Sequence, residues 1–292
     1  MTQKRFLGLL MAGLLSVSTL AGCGNSDQPS DNADTNNAQN AADTGAAAPA
    51  DGDLSYVTGN GKMKIGYTVY DPMNYTDESG EFTGFDTEFA KAVCEKLNVE
   101  PEFIEINWDT KVVELNSKNI DCIWNGMTIS DDLRENMDIS DPYVMNKQVV
   151  IINKANADKY IDTASLASAN LSAEAGSAGE KAIAADENLS KASYVSVTKQ
   201  TDALIEVKSG ASDAAVLDWT LAKSMIGDGT DFSDLMMIDN LSLAEEEYGI
   251  GFRKDSDLCT KVNEIMKELA SDGTLRALAD KYELSLSPNL ES

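Results

Sequence analysis

Short apolar segments of strand length alternate with segments of helical period along this chain, and the alternation runs twice. Lys62–Tyr67 (KMKIGY) puts Met63, Ile65 and Tyr67 on one face, as a half-buried strand does, and Tyr70-Asp71-Pro72 stops it. Asp77-Glu78-Ser79-Gly80 reads as a tight turn. Phe85, Phe89, Val93 and Leu97 then recur at every fourth position, with Asp86 placed to cap a helix and Asn98 to end it. Residues 101–106 form the next strand, 108–116 a second helix, and 120–124 (IDCIW) a short apolar strand of the kind buried in a parallel sheet. The pattern restarts with a strand at 170–175, a turn at Gly176-Ser177-Ala178-Gly179 and a helix at 180–185. A helix at 201–208 closed by Gly210, a buried strand at 213–217 (DAAVL) and a helix at 219–226 follow. Such alternation predicts an α/β architecture with parallel sheets, and two blocks predict two lobes. The apolar stretches 149–153 (VVIIN) and 248–252 (YGIGF) are the expected crossings between them.

Upstream of this region, Lys4 and Arg5 precede an apolar run at 6–17, and Leu20-Ala21-Gly22-Cys23 resembles a lipobox. The segment is too short and too rich in Gly and Ser for a membrane span, so 1–22 reads as a lipoprotein signal with lipid on the Cys23 sulfur. An ordinary secretory signal with an incidental Cys23 is the alternative. Residues 23–53 carry six aspartates (27, 31, 34, 43, 51, 53) and no Lys or Arg. That composition buries too little apolar surface to offset ordering entropy, which predicts a flexible tether.

The formal net charge of −26 gives no basic surface for nucleic acid. The chain has no histidine, which excludes Ser-His-Asp and Cys-His catalysis and any His-ligated metal. Cys94, Cys122 and Cys259 are isolated in sequence and lack the spacing of a metal site, and Cys94 and Cys122, each in an apolar pattern, read as small buried hydrophobes rather than a disulfide. No metal or cofactor is implied.

Several motifs occur in order: Gly80-Glu81-Phe82-Thr83-Gly84-Phe85-Asp86, Ile120-Asp121 before Asn125-Gly126-Met127-Thr128, and Asp138-Ile139-Ser140-Asp141-Pro142-Tyr143. Gly176-Ser177, Asp213-Ala214 before Asp218, Tyr248-Gly249-Ile250 and Asp272-Gly273-Thr274-Leu275 complete the set. Together they resemble the bacterial extracellular solute-binding proteins of family 3, the polar amino-acid receptors of ABC importers. The resemblance implies a type II periplasmic-binding-protein fold, with 54–149 and 247–288 as lobe 1 and 150–246 as lobe 2. It further implies a monomer on the outer face of the cytoplasmic membrane that passes a small polar solute to an ABC permease and its ATPase.

A zwitterionic amino acid needs an anion pocket, a cation partner and a wall, placed beyond the C-terminal strand edges. Thr128 and Ser177 each follow a buried strand and precede a helix, where their N–H and hydroxyl groups suit a carboxylate. Asp218 ends a strand and suits the ammonium; capping the helix at Trp219 is a second, compatible role. The resemblance places Tyr70 and Trp108 against the ligand side chain and gives Asn125 and Gly126 main-chain contacts to the ammonium. One position departs from the family pattern. The arginine expected five residues after Thr128 is Leu133 here, and Arg134 comes one place later, a turn of about 100° on a helix. Arg134 is the expected carboxylate clamp if the local backbone is irregular, with Lys111 or a ligand other than an α-amino acid as the alternatives. A carboxylate-dependent dehydratase on the same fold and a ligand-sensing module for a membrane partner are the competing functions.

Overall fold

The computed structural model describes Gly52–Glu291, so the expected signal and the expected lipid site at Cys23 lie outside the described residues. The first block of the chain runs α1 (Asp53–Asn60), β1 (Lys62–Tyr67), β2 (Tyr75–Thr76), β3 (Phe82–Thr83), α2 (Phe85–Leu97), β4 (Glu100–Glu105) and α3 (Lys111–Asn116), then β5 (Cys122–Thr128), α4 (Asp131–Asn136) and β6 (Asp138–Ile139). The long β7 (Val144–Asn153) leads to β8 (Asn170–Glu174), α5 (Ala178–Ala185), β9 (Ser193–Val197), α6 (Gln200–Ser209), β10 (Ala214–Asp218) and α7 (Trp219–Met225). An 18-residue β11 (Leu235–Phe252) returns to α8 (Asp257–Ser271) and α9 (Thr274–Lys281).

The main sheet has the order β4-β1-β5-β11-β7-β10-β8-β9, with β6 added beside β11. β4, β1 and β5 are parallel, and so are β10, β8 and β9. The antiparallel pair β11 and β7 joins these two parallel blocks, which gives the two-lobe mixed α/β architecture that the repeated sequence pattern implies. The expected crossings need correction. Residues 149–153 already pair with β10, and 248–252 pair with β5 and β6, so each lies within one block. The residues that bridge the blocks are 144–148 of β7, paired with 244–248 of β11.

The amphipathic α2 turns Phe85, Phe89 and Val93 inward, where Phe89 meets Trp124 edge-on at 4.8 Å between ring centroids. Burial of such a ring contributes about 2 kcal/mol or more. Asn98 ends α2 in the left-handed conformation, as expected. Asp86 does not cap it: the carboxylate is fully buried and accepts from the Gly126 amide at 2.6 Å and the Tyr143 hydroxyl at 2.9 Å. Desolvation pushes the Asp86 carboxyl up to about 7. The strand expected at 120–124 begins at Cys122 and runs on to Thr128, through an Asn125-Gly126 pair that sequence statistics assign to turns. In consequence Ser130, not Thr128, caps α4, its Oγ accepting from the Leu133 amide.

Asp53, expected to belong to the tether, instead opens α1 and is tied into the fold. The Arg253 guanidinium, 8% exposed, donates from Nε to both Asp53 carboxylate oxygens at 3.0 Å and from Nη2 to Asp121 at 3.2 Å. Its Nη1 donates to the carbonyls of Leu115 and Ile120. Cys94, Cys122 and Cys259 are all buried free thiols, and burial raises Cys94 to about 12.

Candidate functional site

A cavity of about 560 Å³ opens where β5, β8 and β10 end and β11 passes between the blocks. Its lining includes seven of the eight residues expected from the sequence: Tyr70, Trp108, Asn125, Gly126, Thr128, Ser177 and Asp218. Arg134 is the exception. Leu133 faces the cavity, so the next side chain on the short α4 is carried around the helix and is exposed instead. Lys111, the alternative cation, does line the cavity.

On the first-block side the polar groups are used internally. The Asn125 side chain donates to the Thr68 carbonyl and Asn74 Oδ1, and accepts from the amide and hydroxyl of Thr68. Gly126, at φ 55°, lies so close to Tyr70 that a Cβ would stand 2.8 Å from the ring. The Tyr70 hydroxyl is bonded to Tyr248 at 2.5 Å and to Thr220. Trp108 is 7% exposed and sits at the start of a helical turn where the Asn107 side chain accepts from the Asp109 amide. The Lys111 ammonium lies 4.7 Å from the Trp108 ring and donates to the carbonyls of Trp108 (3.0 Å) and Gly176 (2.9 Å). Burial lowers the Lys111 pKa to about 8, against the pull of Glu174.

The second-block side presents charge. Ser177 is the N-cap of α5, its Oγ accepting from the Glu180 amide, and the first-turn amides of that helix have no intrahelical acceptors. Asp218 occupies the N-cap position of α7, yet its side chain makes no capping bond. Strand register explains where it points. Asp218 lies opposite Gln148 on β7, and Glu246 of β11 lies opposite Asn146, two residues away on the same face. The amide groups of Asn146 and Gln148 therefore each donate to both carboxyls, at 2.6–2.8 Å. Gln200 completes the shell, donating to Asp218 Oδ2 and accepting from the Asp218 amide. Burial raises both acids, Glu246 to about 8, with Asp218 as the second cause.

Glu174, at the end of β8, is a further acid of the lining. It is 3% exposed, and its Oε1 has no hydrogen-bond partner among the described residues. Burial first and the charge of Asp218 second push its carboxyl up to about 8. Sequence reasoning missed both Glu174 and Glu246. Glu174 carried a usable signal, an acid ending an apolar strand directly before the Gly176-Ser177 turn. Glu246 carried none, because the run Glu245-Glu246-Glu247 resembles a solvated stretch until β11 is paired with β7.

Contacts span the cleft besides Lys111 and Tyr70. Lys199 meets Glu105 at 2.5 Å, Ser224 donates to Asp71 at 2.5 Å, and Lys181 meets Asp132 at 3.0 Å. The two blocks are thus closed on the cavity.

Two parallel α/β blocks joined by a pair of antiparallel strands, with a cavity that carries buried acids between them, define a two-lobe solute-binding protein. Residues 63–285 match the bacterial extracellular solute-binding proteins, family 3, and the chain belongs to that family. Among similar proteins, the L-cystine-binding protein TcyJ of Escherichia coli strain K12 is 26% identical over 80% of this chain and 86% of its own length. The arginine-binding extracellular protein ArtP of Bacillus subtilis is 28% identical over 77% of this chain and 87% of its own. The crystal structure of a mutant of ArgBP from T. maritima superposes with a TM-score of 0.73 at 28% identity, covering 79% of this chain and 98% of that one. The family is one of receptors that hand solutes to ABC importers, not of enzymes. No helix among the described residues is long and apolar enough to cross a membrane.

Proposed function

We propose that the chain is a lipid-anchored extracytoplasmic receptor which captures one amino acid by closing its lobes and presents it to an ABC permease driven by an ATPase. The observation that carries this reading is Asp218, a buried carboxyl at a strand end, aimed into the cavity although its place in the chain is a helix cap. In this reading Asp218 holds the ligand ammonium with main-chain help from Asn125 and Gly126, and Tyr70 and Trp108 form the wall. Thr128 and Ser177, with the first turn of α5, receive the carboxylate, where the helix N-terminus favours an anion. Arg134 takes no part from its exposed position, and Lys111 contributes positive charge through space. Lobe 1 comprises 54–149 and 247–288, lobe 2 comprises 150–246, and the hinge is the β7–β11 pair. The protein works as a monomer, anchored through lipid on Cys23, and the acidic residues that follow hold it close to its permease.

Calorimetry against the full set of amino acids tests the reading. One set should bind tightly, and Asp218→Ala should weaken it by about 3 kcal/mol, on the order of 100-fold. Absence of binding by every amino acid would remove the assignment.

A further inference from the structure

The cavity lining carries four acids, and one is left over after Glu246 is counted as the companion of Asp218 and the partly exposed Asp186 as the acceptor of the Asn188 and Leu189 amides. Glu174 stands apart from that pair. The Asp218 and Glu246 carboxyls share the amides of Asn146 and Gln148, whereas Glu174 Oε1, in a side chain 3% exposed, has no partner. Among the cations, Lys111 acts most strongly on Glu174, and it does not answer this need. The Lys111 ammonium spends two of its donors on the carbonyls of Trp108 and Gly176 and rests on the Trp108 ring. The other charges that act on Glu174 are Asp218 of β10 and Asp202 and Lys199 at the start of α6, and Lys199 is paired across the cleft with Glu105. A buried carboxyl without partners costs the fold free energy, and a cation delivered to it recovers that cost.

We infer that Glu174 is a specificity-determining residue which pairs with a cationic group on the ligand's side chain, so that the receptor selects amino acids carrying a second protonated nitrogen. The inference rests on the amino-acid reading above and deepens it. Trp108 shares the cavity lining with Glu174, and its ring already carries the Lys111 ammonium at 4.7 Å, so it supplies wall surface and no second seat for a cation. Glu174 keeps its proton near neutral pH because of burial, and an arriving cation displaces that proton. The empty carboxyl therefore does not oppose closure, and the filled one is an ion pair.

The test is calorimetry with L-lysine, L-ornithine and L-arginine against L-glutamine, L-leucine and L-glutamate, on the unaltered protein and on Glu174→Gln and Glu174→Leu. The basic set should bind the unaltered protein most tightly and weaken by about 30-fold or more in both variants, the effect of removing one member of a buried charge pair. Amino acids with neutral side chains should be unaffected or gain, and the melting temperature of each unliganded variant should hold or rise. If the unaltered protein prefers a neutral or acidic amino acid that still needs Asp218, the receptor assignment stands and the role of Glu174 falls. If the variants lose all amino acids alike, or melt earlier, Glu174 belongs to the fold. If no amino acid binds the unaltered protein, both readings fall together.

Discussion

The two walls of the cavity differ in how their polar groups are used. On the first-block wall Asn125 makes four hydrogen bonds, the Gly126 amide is held by Asp86, and Tyr70 is held by Tyr248 and Thr220. On the second-block wall Glu174 has an oxygen with no partner, and Asp218 and Glu246 are crowded together despite their raised pKa values. A wall whose donors and acceptors are already matched acts as a fixed template, and it favours a ligand through shape. A wall of buried acids, one with an unpartnered oxygen, favours a ligand through charge. In the proposed reading recognition is thus divided, with geometry held by one block and electrostatics by the other.

This division is open to direct challenge. The largest effect should come from the template: Gly126→Ala would place a Cβ 2.8 Å from the Tyr70 ring at a backbone φ of 55°. Denaturant unfolding should show a loss of about 2–3 kcal/mol, from overpacking added to an unfavourable dihedral. A neutral result would mean that the template yields easily.

The charged wall should respond to pH in two opposite senses. Glu174 and Glu246 are each raised to about 8, so the folded ligand-free protein binds more protons than the unfolded chain from about pH 4.5 up to pH 8. Stability from these groups is fully present below that window and is lost as pH rises through it. Binding of a cationic ligand should instead tighten over the same range, because the carboxylate form is the one that pairs. The groups facing the acids are Lys111 and Lys199, Asp202, Gln200, the Asn146 and Gln148 amides, and the Tyr70 and Tyr248 hydroxyls. Lys111, lowered to about 8, loses charge at the top of the window, so the trend should be read below pH 8. Thermal melts and calorimetry from pH 5 to about 8 would show the crossed trends; parallel trends would contradict the picture of unmatched acids.

The smallest effect belongs to the rim. Lys199→Ala removes the pair with Glu105, whose side chains are 33% and 45% exposed. An exposed ion pair contributes less than about 1 kcal/mol to stability. Because this one spans the cleft, its loss should act on ligand release, visible as a faster off-rate in stopped flow with little change in melting temperature.

Much of this was legible in the sequence where period and chemistry coincide. The Phe85–Leu97 helix follows from aromatic and aliphatic residues at every fourth position, and Asp218 from an acid at the end of an apolar strand. β5 was misread because Asn and Gly are turn residues in most settings. Here Asn125 finds its partners in Thr68 and Asn74, and Gly126 accepts a left-handed conformation inside the strand. The pairing of Asp218 with Glu246 was out of reach for another reason. It depends on the register of β7 against two strands at once, and that register is fixed by packing over the whole molecule. Arg134 was the expected clamp, yet Leu133 lines the cavity and Arg134 is exposed, because one step along α4 turns the side chain away.

The Arg253 cluster carries a mechanical consequence. Asp53 is bound by Arg253, the Leu54 amide donates to Asp257 at 2.8 Å, and Arg253 also holds Asp121. The first described helix, α1, is therefore fixed to the block that contains β1, β5 and α8. Tension entering the fold at Gly52 would load this block first and bypass the β7–β11 strands that join it to the other.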